Sequence, residues 1–156
     1  MNWSIFDFAF FGAMILGVSV VYVLAKRRAN NRTYRFATGV ALAAAFLLVW
    51  INGAVGIIGN ENNDANMMFF GVLLVGVVGA IIARLRPKGM ARAMCATAIA
   101  QVTVAVIALA GDLGLAGASW PWDVLVLTGF FASLWLFSAW LFRKAARHPL
   151  SDPGIK

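Results

Sequence analysis

Residues 67–86, MMFFGVLLVGVVGAIIARLR, decide the fold class of this chain. Residues 67–83 of this stretch carry no charged side chain, and Arg84 and Arg86 follow them directly. A helix needs about 17–25 residues to cross a hydrocarbon layer roughly 30 Å thick, and this run has that length. Because lipid offers no hydrogen-bond partner to the backbone, the run is predicted to form a transmembrane helix.

The composition of the whole chain agrees with this assignment. Of its 156 residues, 62% are hydrophobic and 12% are charged, and the mean hydropathy is +0.85. Soluble domains carry about 25% charged residues, and disordered chains have far fewer apolar ones. The single cysteine, Cys95, excludes a disulfide framework within the chain. The sequence therefore predicts an integral membrane protein rather than a soluble enzyme.

Charged or polar connections separate five apolar runs in the sequence. The runs cover residues 5–25, 36–58, 67–83, 93–111 and 124–142. All four prolines lie outside these runs, so no helix is expected to be broken by proline. We expect an all-α polytopic membrane protein, in which residues 1–156 form a single domain of five transmembrane helices.

Basic and acidic residues lie in alternate connections. All 13 Lys and Arg residues fall between the first and second runs, between the third and fourth, or after the fifth. Of the acids, only Asp152 lies with the basic residues. Since basic loops stay in the cytoplasm, the N-terminus is predicted to lie outside and the C-terminus inside, with residues 143–156 as a cytoplasmic basic tail. Termini on opposite sides of the membrane require an odd number of crossings, and the five predicted helices meet this requirement.

The same basic residues indicate the partners of the chain. In a soluble protein, a net charge of +7 and a pI near 10.6 would suggest nucleic-acid binding. Here topology explains the charge, and each basic side chain near the surface adds roughly 1 kcal/mol of attraction to anionic lipid. We expect the lipid bilayer as partner, with anionic lipids at the cytoplasmic face, and no nucleic acid.

Small residues predict where the helices pack, because association inside lipid depends on close backbone approach. In the first run they include Ala9, Gly12, Ala13 and Gly17, and in the third run Gly76, Gly79 and Ala80. In the third run these small residues lie next to each other on the helix surface, so that other helices can approach from more than one side. It is therefore expected to be the central helix of the bundle.

The apolar runs lack the side chains that catalysis requires. The only histidine, His148, follows the last run, and no Lys, Arg, Glu or His lies inside any run. Nucleophilic catalysis needs a base beside the nucleophile, and proton coupling normally uses an ionisable group at mid-membrane depth. We expect no enzymatic activity, no catalytic residue and no cofactor.

Two features offer metal ligands, and each has a simpler explanation. Cys95, with two methionines nearby, suits Cu(I), but these side chains are also typical of helix packing. The loop at residues 59–66, GNENNDAN, offers oxygen ligands for Ca²⁺ without the spacing of a calcium loop. Asn and Asp are equally typical of turns and N-caps. We therefore expect no metal, with Asp64 or Asn66 capping the third helix and Glu61 hydrogen-bonded locally.

The same loop and two buried amides form the candidate ligand site. Asn52 is expected near the outer end of the second helix and Gln101 near the middle of the fourth. The candidate ligand-binding residues are Asn52, Glu61, Asn63, Asn66 and Gln101, with Asp112 and Asp123 as further members of the outer rim. The alternative role for the buried amides is hydrogen bonding between helices.

Residues 47–108 carry a resemblance to a known group of proteins. This stretch, LLVWINGAVGIIGNENNDANMMFFGVLLVGVVGAIIARLRPKGMARAMCATAIAQVTVAVIA, resembles uncharacterised small multi-helix inner-membrane proteins of proteobacteria. The resemblance implies a location in the bacterial inner membrane and no particular activity. Length and helix number are also similar to the tryptophan-rich sensory protein family, although its repeated Trp/Pro tracts are missing here.

Two functions agree with these observations. The first is a non-enzymatic inner-membrane protein that acts as a homo-oligomer or as a small accessory subunit of a membrane assembly. The second is a binder or transporter of a small or lipid-like molecule, with its polar mouth at the outer loop 59–66.

Overall fold

The computed structural model describes residues 4–28 and 31–147, which contain helices and no β-strand. The α-helices are α1 (Ile5–Arg28), α2 (Arg32–Ala54), α3 (Met68–Ile82), α4 (Pro87–Ala110) and α5 (Trp122–Arg147). A 3-10 helix, Asp64–Met67, leads directly into α3. All five segments, with the 3-10 helix counted as part of the third, are long and apolar enough to cross a membrane. The predicted all-α class with five candidate spans is confirmed.

The second helix ends earlier than the hydropathy pattern predicts. It stops at Ala54 rather than at residue 58, because Gly56 has a φ of +75° and turns the chain back. Ile57 and Ile58 are fully buried in the connection that follows. These two apolar side chains therefore pack a buried loop. A hydropathy pattern cannot distinguish buried loop residues from residues of a transmembrane helix.

Other helices continue beyond the apolar runs into the basic segments. Helix α1 continues to Arg28 and α5 to Arg147, while α4 already begins at Pro87. Lys and Arg favour helix nearly as well as Leu, and Pro is well accommodated at the first helical position. Residues 143–147, the first part of the predicted basic tail, are thus helical and continue α5. Residues 148–156 lie outside the described residues.

Helices α4 and α5 form the most extensive contact of the fold. Helix α3 packs against α4, α2 packs against α5, and α1 packs mainly against α2. The expectation that the third helix is central is wrong. The central pair is α4 and α5: α4 buries mainly small residues such as Ala98 and Ala105, and α5 buries large ones such as Phe131 and Trp135.

The bundle has a basic end and an acidic end, and a hydrogen bond between distant segments is found at each of them. The Tyr34 hydroxyl donates to the carbonyl oxygen of Leu85, which joins the start of α2 to the α3–α4 turn. Asn63 Nδ2 donates to the carbonyl oxygen of Leu113 at 2.6 Å, which joins the α2–α3 and α4–α5 connections. The basic end of the bundle comprises residues 26–28, 31–35, 84–92 and 143–147. The acidic end comprises residues 4–7, 55–67 and 111–123.

Candidate functional site

Asn66 lies in the 3-10 helix of the α2–α3 connection, at the acidic end, where it is 5% exposed. Its Oδ1 accepts hydrogen bonds from the backbone N–H groups of Ile57 at 3.0 Å and Ile58 at 2.7 Å. Its Nδ2 donates to the carbonyl oxygens of Ile58 at 3.4 Å and Asn60 at 2.7 Å. Both amide protons and both lone pairs are thus in use, and the side chain holds the connection over the end of α2.

Asn52 and Asn63 belong to the same network. Asn52 Nδ2, near the end of α2, donates to the carbonyl oxygen of Asn66 at 3.0 Å. Asn63 Oδ1 accepts from the N–H of Ala65 at 3.0 Å, and its Nδ2 makes the bond to the α4–α5 connection described above. The structure therefore brings three of the predicted ligand-binding residues together, in contacts with the backbone.

Two local expectations for this connection are wrong. Neither Asp64 nor Asn66 caps α3: its N-cap is Met67, which makes no side-chain cap bond, and Asn63 caps the 3-10 helix before it. Asn66 lies inside the 3-10 helix, and its side-chain oxygen accepts from Ile57 and Ile58 rather than from the first turn of α3. Glu61 is exposed, and its carboxylate accepts no hydrogen bond from the described residues. It lies at the surface of the network, with water as its natural partner.

Gln101 is separate from the network and fully buried in the body of α4. Trp135 Nε1 donates to its Oε1 at 3.4 Å across the α4–α5 interface. Within the described residues, Gln101 Nε2, Asn52 Oδ1 and Thr128 Oγ1 are buried without a hydrogen-bond partner. Leaving such a group unpaired costs about 1–3 kcal/mol. These amides and hydroxyls can exchange hydrogen bonds, but they cannot act as acid or base near neutral pH.

The glycines of α3 lie at a close helix contact. A Cβ built on Gly79 would lie 2.7 Å from the Cβ of Ala93, and one on Gly76 would lie 3.2 Å from Thr97 Oγ1. Ala80 is partly buried against the same core. These small residues therefore allow α3 to approach α4 closely.

The glycines of α1 make no such contact. A Cβ built on Gly12 or Gly17 would meet no atom within 4 Å. The packing role predicted for these two residues is not found within a single chain. Helix α1 instead contacts α2 through Phe11, whose ring lies edge-on to those of Phe46 and Trp50 at centroid distances of 5.8 and 4.6 Å.

An apolar cavity of about 140 Å³ lies toward the basic end, between all five helices. Its lining includes Ala25 of α1, Thr38 of α2, Ala80 of α3, Met94 of α4 and Trp135 of α5. None of the five predicted ligand-binding residues lines it. The structure thus places this cavity away from the outer loop where the sequence predicts the mouth of a binding site.

Two contacts between helices were not anticipated from the sequence. Ser138 Oγ donates to the carbonyl oxygen of Ala37 at 2.9 Å, which links α5 to α2. Tyr34, at the start of α2, is fully buried, and its ring lies 5.3 Å from that of Phe142 on α5. A tyrosine at the start of a helix is typical of the interface, so only the neighbouring helices reveal its burial.

The described residues contain no group of three or more His, Cys, Asp or Glu side chains that could hold a metal ion. Comparisons of the chain with protein-family models, with curated proteins and with solved structures find no match.

Proposed function

We propose that the chain is a non-enzymatic protein of the bacterial inner membrane that acts as a homo-oligomer or as a small subunit of a membrane assembly. Its basic end faces the cytoplasm and its acidic end faces outward, as the positive-inside rule requires. Asn52 and Ser138 bond to the backbone and Gln101 accepts from the Trp135 indole, and such contacts suit a structural role.

The observation that carries this proposal is the incomplete packing of α1. Within the most apolar 18 residues of each helix, 6% are buried in α1, against 44% in α4 and 39% in α5. Phe11, Met14 and Val18 turn partly inward, and Ala25 is buried. Most other described side chains of α1 are exposed, so they can contact lipid or another protein.

The exposed side of α1 carries a surface suited to another helix. Ala9, Ala13 and Gly17 recur at four-residue spacing, and all three are exposed. Such a stripe lets two helix backbones approach closely, so that van der Waals contact replaces contact with lipid. We define these three residues as the α1 stripe and propose that it binds a second copy or a partner subunit.

Site-specific photocrosslinking in native membranes tests this proposal. A photoreactive residue at Ala13 should give a crosslinked dimer or a crosslink to a partner, whereas one at Ala96, an exposed alanine of α4, should not. The double substitution A9L/G17L should abolish the crosslink from Ala13, and A96L should leave it intact. Gly17 has open space around it, so the larger side chain does not disturb the single chain. Crosslinks absent at Ala13, or equal at both positions, would refute the proposal.

The apolar cavity supports a second candidate, the binding of a small or lipid-like molecule. Its walls come from all five helices and its lining is apolar, as in many ligand pockets. Xenon, a probe for dry apolar cavities, can be followed by NMR of isotope-labelled methionine methyl groups. Met90 and Met94 line the cavity, so their signals should shift in a saturable manner, and A45L, which fills the cavity, should remove the shift. Identical shifts with and without A45L would exclude the cavity as a binding site.

A further inference from the structure

A second pocket, of about 370 Å³, lies at the basic end between the start of α4 and the last turns of α5. We call it the basic pocket; its lining residues are Lys88, Ala91, Arg92, Arg143, Ala146 and Arg147. It is separate from the α1 stripe and from the apolar cavity. An inference drawn from it therefore does not depend on the function proposed above.

The cations of the basic pocket form two like-charged pairs. Lys88 and Arg92 are four residues apart on α4, and Arg143 and Arg147 are four residues apart on α5. Like charges at this spacing repel each other on one helix face, and here two such pairs meet across one pocket. All four side chains are exposed, and an anion between them would relieve this repulsion.

Within residues 4–28 and 31–147, no acid is placed to neutralise this charge. Every acid of these ranges lies at the acidic end, and the described lining of the basic pocket contains none. Asp152, the one acid after α5, lies outside the described residues. A single carboxylate would neutralise only one of the four positive charges of the basic pocket.

The helix dipoles make the charge on α4 still less favourable. Lys88 and Arg92 lie in the first turns of α4, whose N-terminus carries a partial positive charge and has neither an acidic residue nor a side-chain cap. Cations are stabilised in the last turn of a helix, which accounts for Arg147 but not for the pair on α4. A helix N-terminus surrounded by Lys and Arg is instead typical of a phosphate-binding site.

We propose that the basic pocket binds the phosphate group of an anionic phospholipid headgroup. The pocket begins where the apolar spans end, since Arg143 directly follows the buried residues Leu141 and Phe142. This is the depth at which headgroup phosphates lie, and basic pockets between transmembrane helices bind such lipids. Three of the four cations are arginines, which can bind phosphate through two parallel hydrogen bonds.

Lipid binding to the full-length, detergent-purified protein tests this inference by native mass spectrometry. Phosphatidylglycerol and phosphatidylcholine with identical chains should be compared on the wild type and on R92Q/R143Q. We expect the double substitution to weaken phosphatidylglycerol binding about tenfold or more, since charged hydrogen bonds are lost, with phosphatidylcholine binding unchanged. R92K/R143K, which keeps the charge without the guanidinium fork, should give an intermediate loss.

The matched control is K26Q/R84Q, which removes the same charge from the basic end outside the pocket. It should retain phosphatidylglycerol as the wild type does. Equal loss in both double variants would mean that diffuse attraction, not the pocket, binds the lipid, and equal binding of the two lipids by the wild type would overturn the inference. If inorganic phosphate displaces the lipid at equal concentration, the site is one for soluble phosphate and the lipid assignment fails. Unchanged thermal unfolding of each variant without lipid confirms that the fold is retained.

Discussion

Asn66 shows how a buried amide can hold together a connection that has little secondary structure. One side chain satisfies the backbone groups of three other residues in the α2–α3 connection, and its own carbonyl accepts from Asn52. Buried N–H groups without partners are costly, so the amide replaces the hydrogen bonds that a continuing helix would provide. The Asn66 side chain thus fixes the backbone of the connection at the acidic end of the molecule.

We expect N66A to lower the free energy of unfolding by about 2–4 kcal/mol, because the N–H groups of Ile57 and Ile58 lose their acceptor in a buried site. Thermal unfolding in mild detergent measures the effect. Asn62, exposed in the same loop, provides the control, and N62A should change stability by less than about 0.5 kcal/mol. Similar losses in both variants would show that Asn66 has no special role.

The sequence identified the polar residues of this loop but not what each of them does. Asn, Asp and Glu in a short connection indicate turns, caps or ligands alike, and only the backbone path decides among these roles. The bond from Asn52 to Asn66 depends on the reversal at Gly56, which has no signature in hydropathy. The burial of Tyr34 has no signature in hydropathy either, because neighbouring helices cover it.

The contact between α3 and α4 depends on the absence of a side chain at one position. Gly79 brings its backbone against Ala93, whereas Gly71 in the same helix has no atom within 4 Å of a built Cβ. Within α3, therefore, two glycines of equal intrinsic helix propensity have different surroundings. This difference separates the effect of packing from that of propensity.

We expect G79A to destabilise the protein by about 1–3 kcal/mol, because the added methyl group would lie 2.7 Å from the Cβ of Ala93 and force the helices apart. G71A should be neutral or stabilising by up to about 1 kcal/mol, since alanine favours helix more than glycine does. Unfolding of both variants in the same detergent provides the comparison. A G79A protein as stable as G71A would contradict the close approach of α3 and α4.

Hydropathy predicted the existence of each helix but not its ends or neighbours. The basic segments beginning at Pro87 and ending at Arg147 extend helices beyond the apolar runs, because charge ends a hydrophobic run without ending a helix. The central role of α4 and α5 could not be read from small-residue stripes, which occur on several helices. Packing depends on which small face meets which large side chain, and a single sequence does not specify that pairing.

At the scale of the whole molecule, charge and hydrogen bonding divide the bundle in the same way. Connections that carry Lys and Arg meet at the basic end through Tyr34 and Leu85, and those that carry Glu61 and Asp112 meet at the acidic end through Asn63. The sequence predicted this separation from the alternation of charge alone. Each apolar run predicts a helix and each connection shows its own charge, and neither requires knowledge of how the helices pack. The cavity and the basic pocket could not be predicted in this way, because their linings come from residues of several helices.

The most direct test of the account is the sidedness of these two ends in the membrane. Single cysteines placed at Asn62 and at Lys88, in a chain in which Cys95 is replaced by alanine, can be labelled with a membrane-impermeant maleimide on bacterial spheroplasts. Both positions are exposed, so labelling reports access from water. We expect N62C to react on intact spheroplasts and K88C only after permeabilisation. Reaction of both from the same side, or of K88C alone on intact spheroplasts, would contradict the proposed topology.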